Sequence, residues 1–194
     1  MAKKRYKIYL FRHGQTIHNS KGIFSGWSKT RLTKRGIEDA KIVAIRLKNK
    51  KFQVAFQSDQ SRSKETLKYI LKYHPECKKI ITDKRIKERS YGKLTGKSHL
   101  SAVMAYGPKK YDIYHRSYDI PPPKGETIEI VEKRVLSFIK DLIEYIKKNK
   151  VNVAISAHGN SMRPFRRYFE KLTVKQMMKL ENPYEDFFEY EIKV

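Results

Sequence analysis

The chain is predicted to be a three-layer α/β sandwich with a mainly parallel central sheet flanked by helices. Three observations carry this. Short apolar runs of strand length alternate with longer stretches of helical periodicity. Two histidine-glycine pairs, His13-Gly14 and His158-Gly159, stand just past the ends of two of those runs. Ligands of open α/β sheets gather at the carboxyl ends of the strands, so both histidines are expected in one crevice.

The elements follow in order. Tyr6–Phe11 is the first apolar run. Thr33 opens a helix in which Ile37, Ala40, Val43, Ala44 and Leu47 recur at helical spacing. Val54–Ser58 is the second strand, and the helix after it runs to about Tyr73 with Leu67, Ile70 and Leu71 on one face. Lys79–Thr82 is the third strand. A long helix from Thr127 to Lys148 carries the stripe Ile128, Val131, Val135, Phe138, Leu142 and Ile146. Val151–Ser156 is the fourth strand, and a short helix from Ser161 turns Phe165 and Phe169 inward. Phe187–Val194 alternates enough for an edge strand. Pro121-Pro122-Pro123 reads as a stiff loop segment. With no repeat and no flexible linker, residues 1–194 are expected to form one domain with a proper core.

One cysteine, Cys77, excludes an internal disulfide and fits a reducing compartment. The basic start Met1-Ala2-Lys3-Lys4-Arg5 is like that of a signal peptide. The apolar run after it stops at Arg12 without a small-residue cleavage site. No stretch has the length of a membrane span, so a cytoplasmic protein without membrane contact is expected. The net charge of +24 draws anions of every size. Small lysine clusters, such as Lys147-Lys148-Asn149-Lys150, fall at expected helix ends and read as solvated surface, leaving nucleic acid a nonspecific partner at most. Oligomeric state is not written in the chain.

Arginine beside a histidine favours an anion over a divalent metal. His13 at a strand end suits a phosphoryl-accepting imidazole, Gly14 lets backbone N–H groups approach a phosphate, and the fork of Arg12 matches its oxygens. The same three residues also read as a buried strand-end histidine beside a surface arginine. Arg62, in Ser58-Asp59-Gln60-Ser61-Arg62, sits at a helix start, where the dipole favours an anion. His158, before Gly159, Asn160 and Ser161, supplies a second imidazole for charge on the transferring group. Glu88 is placed to move a proton, its pKa raised by a bound phosphate. It reads equally as a surface salt bridge to Arg89.

Together these segments resemble the histidine phosphatase superfamily, and within it the cofactor-dependent phosphoglycerate mutases. The resemblance covers Arg12-His13-Gly14-Gln15-Thr16 with Asn19, Phe24-Ser25-Gly26-Trp27 and Leu32-Thr33-Lys34-Arg35-Gly36. It continues through Ser58 with Arg62, Glu88-Arg89-Ser90-Tyr91-Gly92, and Arg116-Ser117-Tyr118-Asp119-Ile120 with the prolines. Ala157-His158-Gly159-Asn160-Ser161-Met162-Arg163 completes it. It implies that His13 carries the phosphoryl group, surrounded by Arg12, Arg62, Asn19 and His158, while Glu88 moves the proton. Ser25, Gly26, Arg89, Tyr91, His99, His115, Arg116, Gly159 and Asn160 would bind the rest of a phosphoglycerate. The implied reaction interconverts 2- and 3-phosphoglycerate in glycolysis and gluconeogenesis, primed by 2,3-bisphosphoglycerate and without a metal.

The chain departs from the mutase pattern in four places. His115-Arg116 stands where two arginines are usual, and His99 where a lysine is usual, with Lys97 close by. Both histidines are expected to titrate near neutrality, weakening anion binding as pH rises between 6 and 8. The insertion after the prolines is short, Pro123 leading within two residues to Gly125-Glu126-Thr127. The chain stops soon after its last strand, so a phosphohistidine more open to water is expected. A phosphatase acting on small phosphoesters is therefore the alternative within enzymes. A basic nucleic-acid-binding protein with inactive catalytic remnants is the alternative outside them.

Overall fold

The computed structural model describes residues 4–194; the first three residues of the basic start lie outside the described residues. Five strands form one sheet: β1 (Arg5–Arg12), β2 (Val54–Gln57), β3 (Lys79–Thr82), β4 (Val153–Ala157) and β5 (Phe187–Lys193). Their order is β3-β2-β4-β1-β5; every neighbouring pair is parallel except β1 and β5, which run antiparallel. The helices are α1 (Ile17–Ser20), α2 (Lys34–Leu47), α3 (Ser61–Leu71), α4 (His99–Arg116), α5 (Ile128–Asn149), α6 (Gly159–Glu170) and α7 (Val174–Met178).

Alternation along β1 builds the three layers. Tyr6, Ile8 and Leu10 pack with Val131, Val135, Phe138 and Leu142 of α5 and with Phe165 of α6. Tyr9 and Phe11 point to the other face, against Val43 and Leu47 of α2 and Leu67 and Ile70 of α3. Thr33 caps α2 by accepting from the Gly36 N–H, and Thr127 caps α5 by accepting from that of Ile130. The stripe read from α5 is fully buried, at about 2 kcal/mol for each large aliphatic side chain.

Element ends differ from expectation by one or two residues: β4 starts at Val153, β2 ends at Gln57 and α3 ends at Leu71. Although β3 is an apolar run in the sequence, it is an exposed edge strand, with only Ile81 packing on the core. The larger difference is α4, which periodicity did not reveal. Gly107, at φ 75°, breaks it just before Pro108, and Ala102 is its single buried residue. Its aromatic side chains, Tyr106, Tyr111 and Tyr114, lean on a small satellite cluster around Phe24, Tyr91 and Leu94. Such a helix covers a site more than it builds a core.

Candidate active site

Register brings the two histidines together. Arg12 pairs with Ala157 across β1 and β4, and the His13 N–H extends the ladder by donating to the Ala157 carbonyl at 3.1 Å. The next residues on each strand are therefore neighbours: the rings of His13 and His158 have centroids 4.9 Å apart. Gln57 of β2 pairs with Ser156, so Ser58 follows at the same level, and its Oγ lies 2.7 Å from His158 Nε2.

His13 is buried, and its Nδ1 is 2.8 Å from the Gly14 carbonyl, which can only accept. The proton must sit on Nδ1, leaving the lone pair on Nε2, which accepts from Arg62 Nε at 3.2 Å. Burial first, then the charges of Arg62 and Arg12, hold His13 well below the usual histidine range. It is a neutral imidazole with a directed lone pair, as a nucleophile requires. Burial, with Arg62 and His13 next, holds His158 down in the same way.

Gly14 is required here for a different reason from the one expected. A Cβ at Gly14 would lie 2.0 Å from the Gly36 carbonyl oxygen, and one at Gly36 would lie 1.9 Å from that of Gln15. The Gly14 N–H is taken by Thr66 Oγ1 at 3.0 Å. The glycine pair lets α2 close against the loop after His13, whose Gly14 N–H is already taken by Thr66.

Arg62, in the first turn of α3, donates through Nη1 to Ser28 O and through Nη2 to Gly26 O, and burial brings its pKa down to about 10. It remains charged at neutral pH. Arg12 donates to Asn182 O at 3.0 Å and lies 4.0 Å over the ring of Tyr184. Glu88 is buried, and its Oε1 accepts from the N–H groups of Arg89 (2.7 Å) and Asn160 (3.2 Å). The surface Glu88–Arg89 salt bridge is thus overturned: the buried Arg89 guanidinium turns away to Glu126 O and His115 O.

A cavity of about 330 Å³ opens beside this cluster. Arg12, Asn19, Ser25, Gly26, Glu88, Tyr91, His99, His115, Arg116, Gly159 and Asn160 line it. Every expected binding residue is therefore on its wall except Arg89, which lies behind Tyr91 at 5.3 Å from its ring. Asn19 Oδ1 accepts from Thr16, and Asn160 donates to the Tyr91 hydroxyl. Arg12 Nε, Ser25 Oγ and His115 Nδ1 on the wall are buried without a partner, as are Arg89 Nη2 and His158 Nδ1, whose residues, like His13 and Arg62, are not part of the lining. An unmet buried polar group costs about 1–3 kcal/mol, so their gathering fits a polyanionic ligand with many acceptor oxygens.

The far end of the cavity differs from expectation. The rings of His99 and His115 have centroids 5.0 Å apart at a tilt of 32°, His99 takes a contact from Tyr111 at 3.1 Å, and both rings pack on Phe24. Burial lowers both; that of His115 falls to about 4, helped by His99 and Arg116. Between pH 6 and 8 His115 is neutral in the free protein, so its expected titration in that interval is displaced to acid pH, and that of His99 moves in the same direction. Lys97 is exposed, and Arg116 pairs loosely with Asp112 at the rim.

Residues 8–192 match the family model of the histidine phosphatase superfamily (branch 1). The chain belongs to that superfamily. A 2,3-bisphosphoglycerate-dependent phosphoglycerate mutase of Parvibaculum lavamentivorans is 37% identical over 177 residues, covering 89% of this chain and 84% of the relative. The fold is also that of a Bacillus anthracis phosphoglycerate mutase, with a TM-score of 0.79 at 24% identity over 98% of this chain and 89% of that one. A mycobacterial glucosyl-3-phosphoglycerate phosphatase has a TM-score of 0.83 at 19% identity, over 97% and 91%. One architecture thus carries both a mutase and a phosphatase.

Four supporting residues of this superfamily member escaped the sequence reading. Gln60 ties the loops together, donating to Gly26 O and accepting from the Glu88 N–H. Arg134 donates to the carbonyls of Arg85, Lys87 and Glu88 and pairs with Glu126, which accepts from the Ser90 N–H. Asn182 and Tyr184, on the segment before β5, meet Arg12. Arg134 lies within the α5 periodicity and reads there as an ordinary exposed face; nothing local marks it. Among the described residues no group of three or more metal-ligating side chains occurs, and no helix is long and apolar enough to cross a membrane.

Proposed function

We propose that the protein interconverts 2- and 3-phosphoglycerate through a phosphohistidine at His13, primed by 2,3-bisphosphoglycerate. The observation that carries this is the distribution of unpartnered polar atoms around one cavity. Arg12 Nε, next to His13 in the chain, and His115 Nδ1, against Phe24, are on its wall, while His158 Nδ1 beside His13 and Arg89 Nη2 beside His115 lie outside the lining. A ligand with anionic groups at both ends satisfies both sets. The Parvibaculum relative supports the same reading.

In this reading His13 Nε2 attacks phosphorus, the P–O bond to the sugar-acid oxygen breaks, and Glu88 gives that oxygen its proton. Arg62 Nε, which holds the lone pair at rest, passes to a phosphoryl oxygen as the pair is used. Arg12 and His158 share the charge that develops on the group. The reverse step on the other hydroxyl returns the phosphoryl group, Glu88 now accepting the proton. The neutral His99–His115 pair weakens the hold on a second anion compared with fixed cations, and that favours a phosphatase as the second reading.

The test is a metal-free assay in EDTA with 3-phosphoglycerate, with and without 2,3-bisphosphoglycerate, His13→Ala serving as blank. Formation of 2-phosphoglycerate stimulated by the bisphosphate, with little free phosphate, is the expected result. Phosphate as the main product would replace the mutase by the phosphatase.

A further inference from the structure

We propose that Tyr184 is a positioning residue that orients Arg12 and shields the phosphorylated His13 from water. This rests on the phosphohistidine reading above. Residues 180–186 form a strap between α7 and β5, and five arginines from three elements hold it. Arg163 and Arg166 of α6 donate to the carbonyls of Leu180 and Glu181. Arg12 of β1 donates to Asn182 O. Arg35 and Arg46 of α2 pair with Glu185 and Asp186. Buried Asn182 latches the middle, donating from Nδ2 to Gly159 O at 2.9 Å, beside the start of α6.

The latch brings the Tyr184 ring to 4.0 Å from the Arg12 guanidinium and 6.4 Å from the His13 ring. Stacking on an aromatic face fixes the plane of a guanidinium. Arg12 is packed besides against Gly159, where a Cβ would lie 3.6 Å from its Cζ. With Nη1 committed to Asn182, the Nε edge is left unpartnered for a phosphoryl oxygen. Burial raises the Tyr184 hydroxyl, so the ring facing Arg12 stays an uncharged phenol. The Tyr184 ring is one of the groups around His13, which is only 2% exposed, where the sequence led to an open site.

The reaction that the strap suppresses is hydrolysis. A water oxygen attacks phosphorus, the P–Nε2 bond breaks, His13 recovers its lone pair, and the water proton passes to Glu88 as inorganic phosphate leaves. Tyr184→Ala opens this path and frees Arg12 to rotate.

The experiment labels the full chain with 32P-2,3-bisphosphoglycerate, isolates the phosphoenzyme, and follows its decay in buffer without acceptor. Tyr184→Ala is expected to decay roughly tenfold faster than the parent, given the size of a partly buried cation–π contact. Tyr184→Phe, which restores the ring, is expected to restore the slow decay. Asn182→Ala, which releases the latch while leaving the ring in the chain, is expected to move decay in the same direction as Tyr184→Ala. With 3-phosphoglycerate present, phosphate released per 2-phosphoglycerate formed should rise in both alanine variants, which lost stability alone does not produce. Parent decay rates in the labelled, folded alanine variants would overturn the role of Tyr184 while leaving the phosphohistidine in place. A parent chain that takes no label on His13 would overturn both.

Discussion

Arg62 Nε donates to His13 Nε2 over 3.2 Å, placing a permanent cation against the lone pair that the proposed chemistry would use. The contact resists protonation of the imidazole, and in the proposed reaction it would also hold a donor ready for a phosphoryl oxygen.

Replacing Arg62 should therefore change both the rate and its pH profile. Arg62→Ala is expected to lower kcat by about 10²–10³, the usual effect of losing one preorganised donor to developing charge. It also removes the largest electrostatic cause of the depressed His13 pKa, so that pKa rises. The acid limb of kcat/KM should move to higher pH, whereas the parent stays flat from pH 7.5 to 6. An unmoved acid limb would show that the contact does not govern His13.

The distal histidines make a prediction about affinity. His115→Arg restores a permanent cation beside His99, and 2,3-bisphosphoglycerate should bind about tenfold tighter, as a charge-assisted hydrogen bond allows. Calorimetry at pH 7.5 measures it. The parent affinity should be nearly flat from pH 8 to 7 and strengthen only at lower pH, as anion binding helps these rings to protonate. A parent affinity that climbs steeply between pH 8 and 7 contradicts the neutral pair.

Stability should fall with pH for the same reason. His13, His115 and His158 have pKa values below the unfolded value near 6.5. The unfolded chain then binds more protons below about pH 6.5, so their contribution is whole above pH 6.5 and falls with pH below it, that of His115 being lost by about pH 4. Tm is expected to drop by roughly 5 °C or more between pH 7 and 4.5, and His115→Phe should reduce the drop. Calorimetric melts across that interval decide it.

Gly36→Ala separates propensity from packing. Inside a helix alanine is favoured over glycine by about 1 kcal/mol. The new Cβ, however, meets the Gln15 carbonyl at 1.9 Å, backbone that Thr33 already holds through its N–H. Overpacking of this kind costs about 1–3 kcal/mol, so the urea midpoint should fall and the His13 loop should shift. A higher midpoint would mean that the contact relaxes freely.

The core, the strand positions and the residues gathered at the candidate site were legible in the chain because each has a local signature. The stripe of α5 repeats at helical spacing, Thr33 and Thr127 precede their helices, and both histidines follow strand-length apolar runs. The resemblance to histidine phosphatases rests on such short segments, and the family match covers residues 8–192. Helix α4 was hidden because Gly107-Pro108 interrupts it and only Ala102 is buried.

What the tertiary structure alone decided are relationships between distant residues with no local mark. Arg134 holds the carbonyls around Glu88 from 46 positions away, Asn182 and Tyr184 reach Arg12 from 170 or more, and Gly36 dictates the glycine at position 14. The charge state of His99 and His115 belongs to the same class. A sequence carries the intrinsic pKa of imidazole, whereas the shift comes from burial against Phe24 and from neighbouring cations, which exist only once the chain has folded.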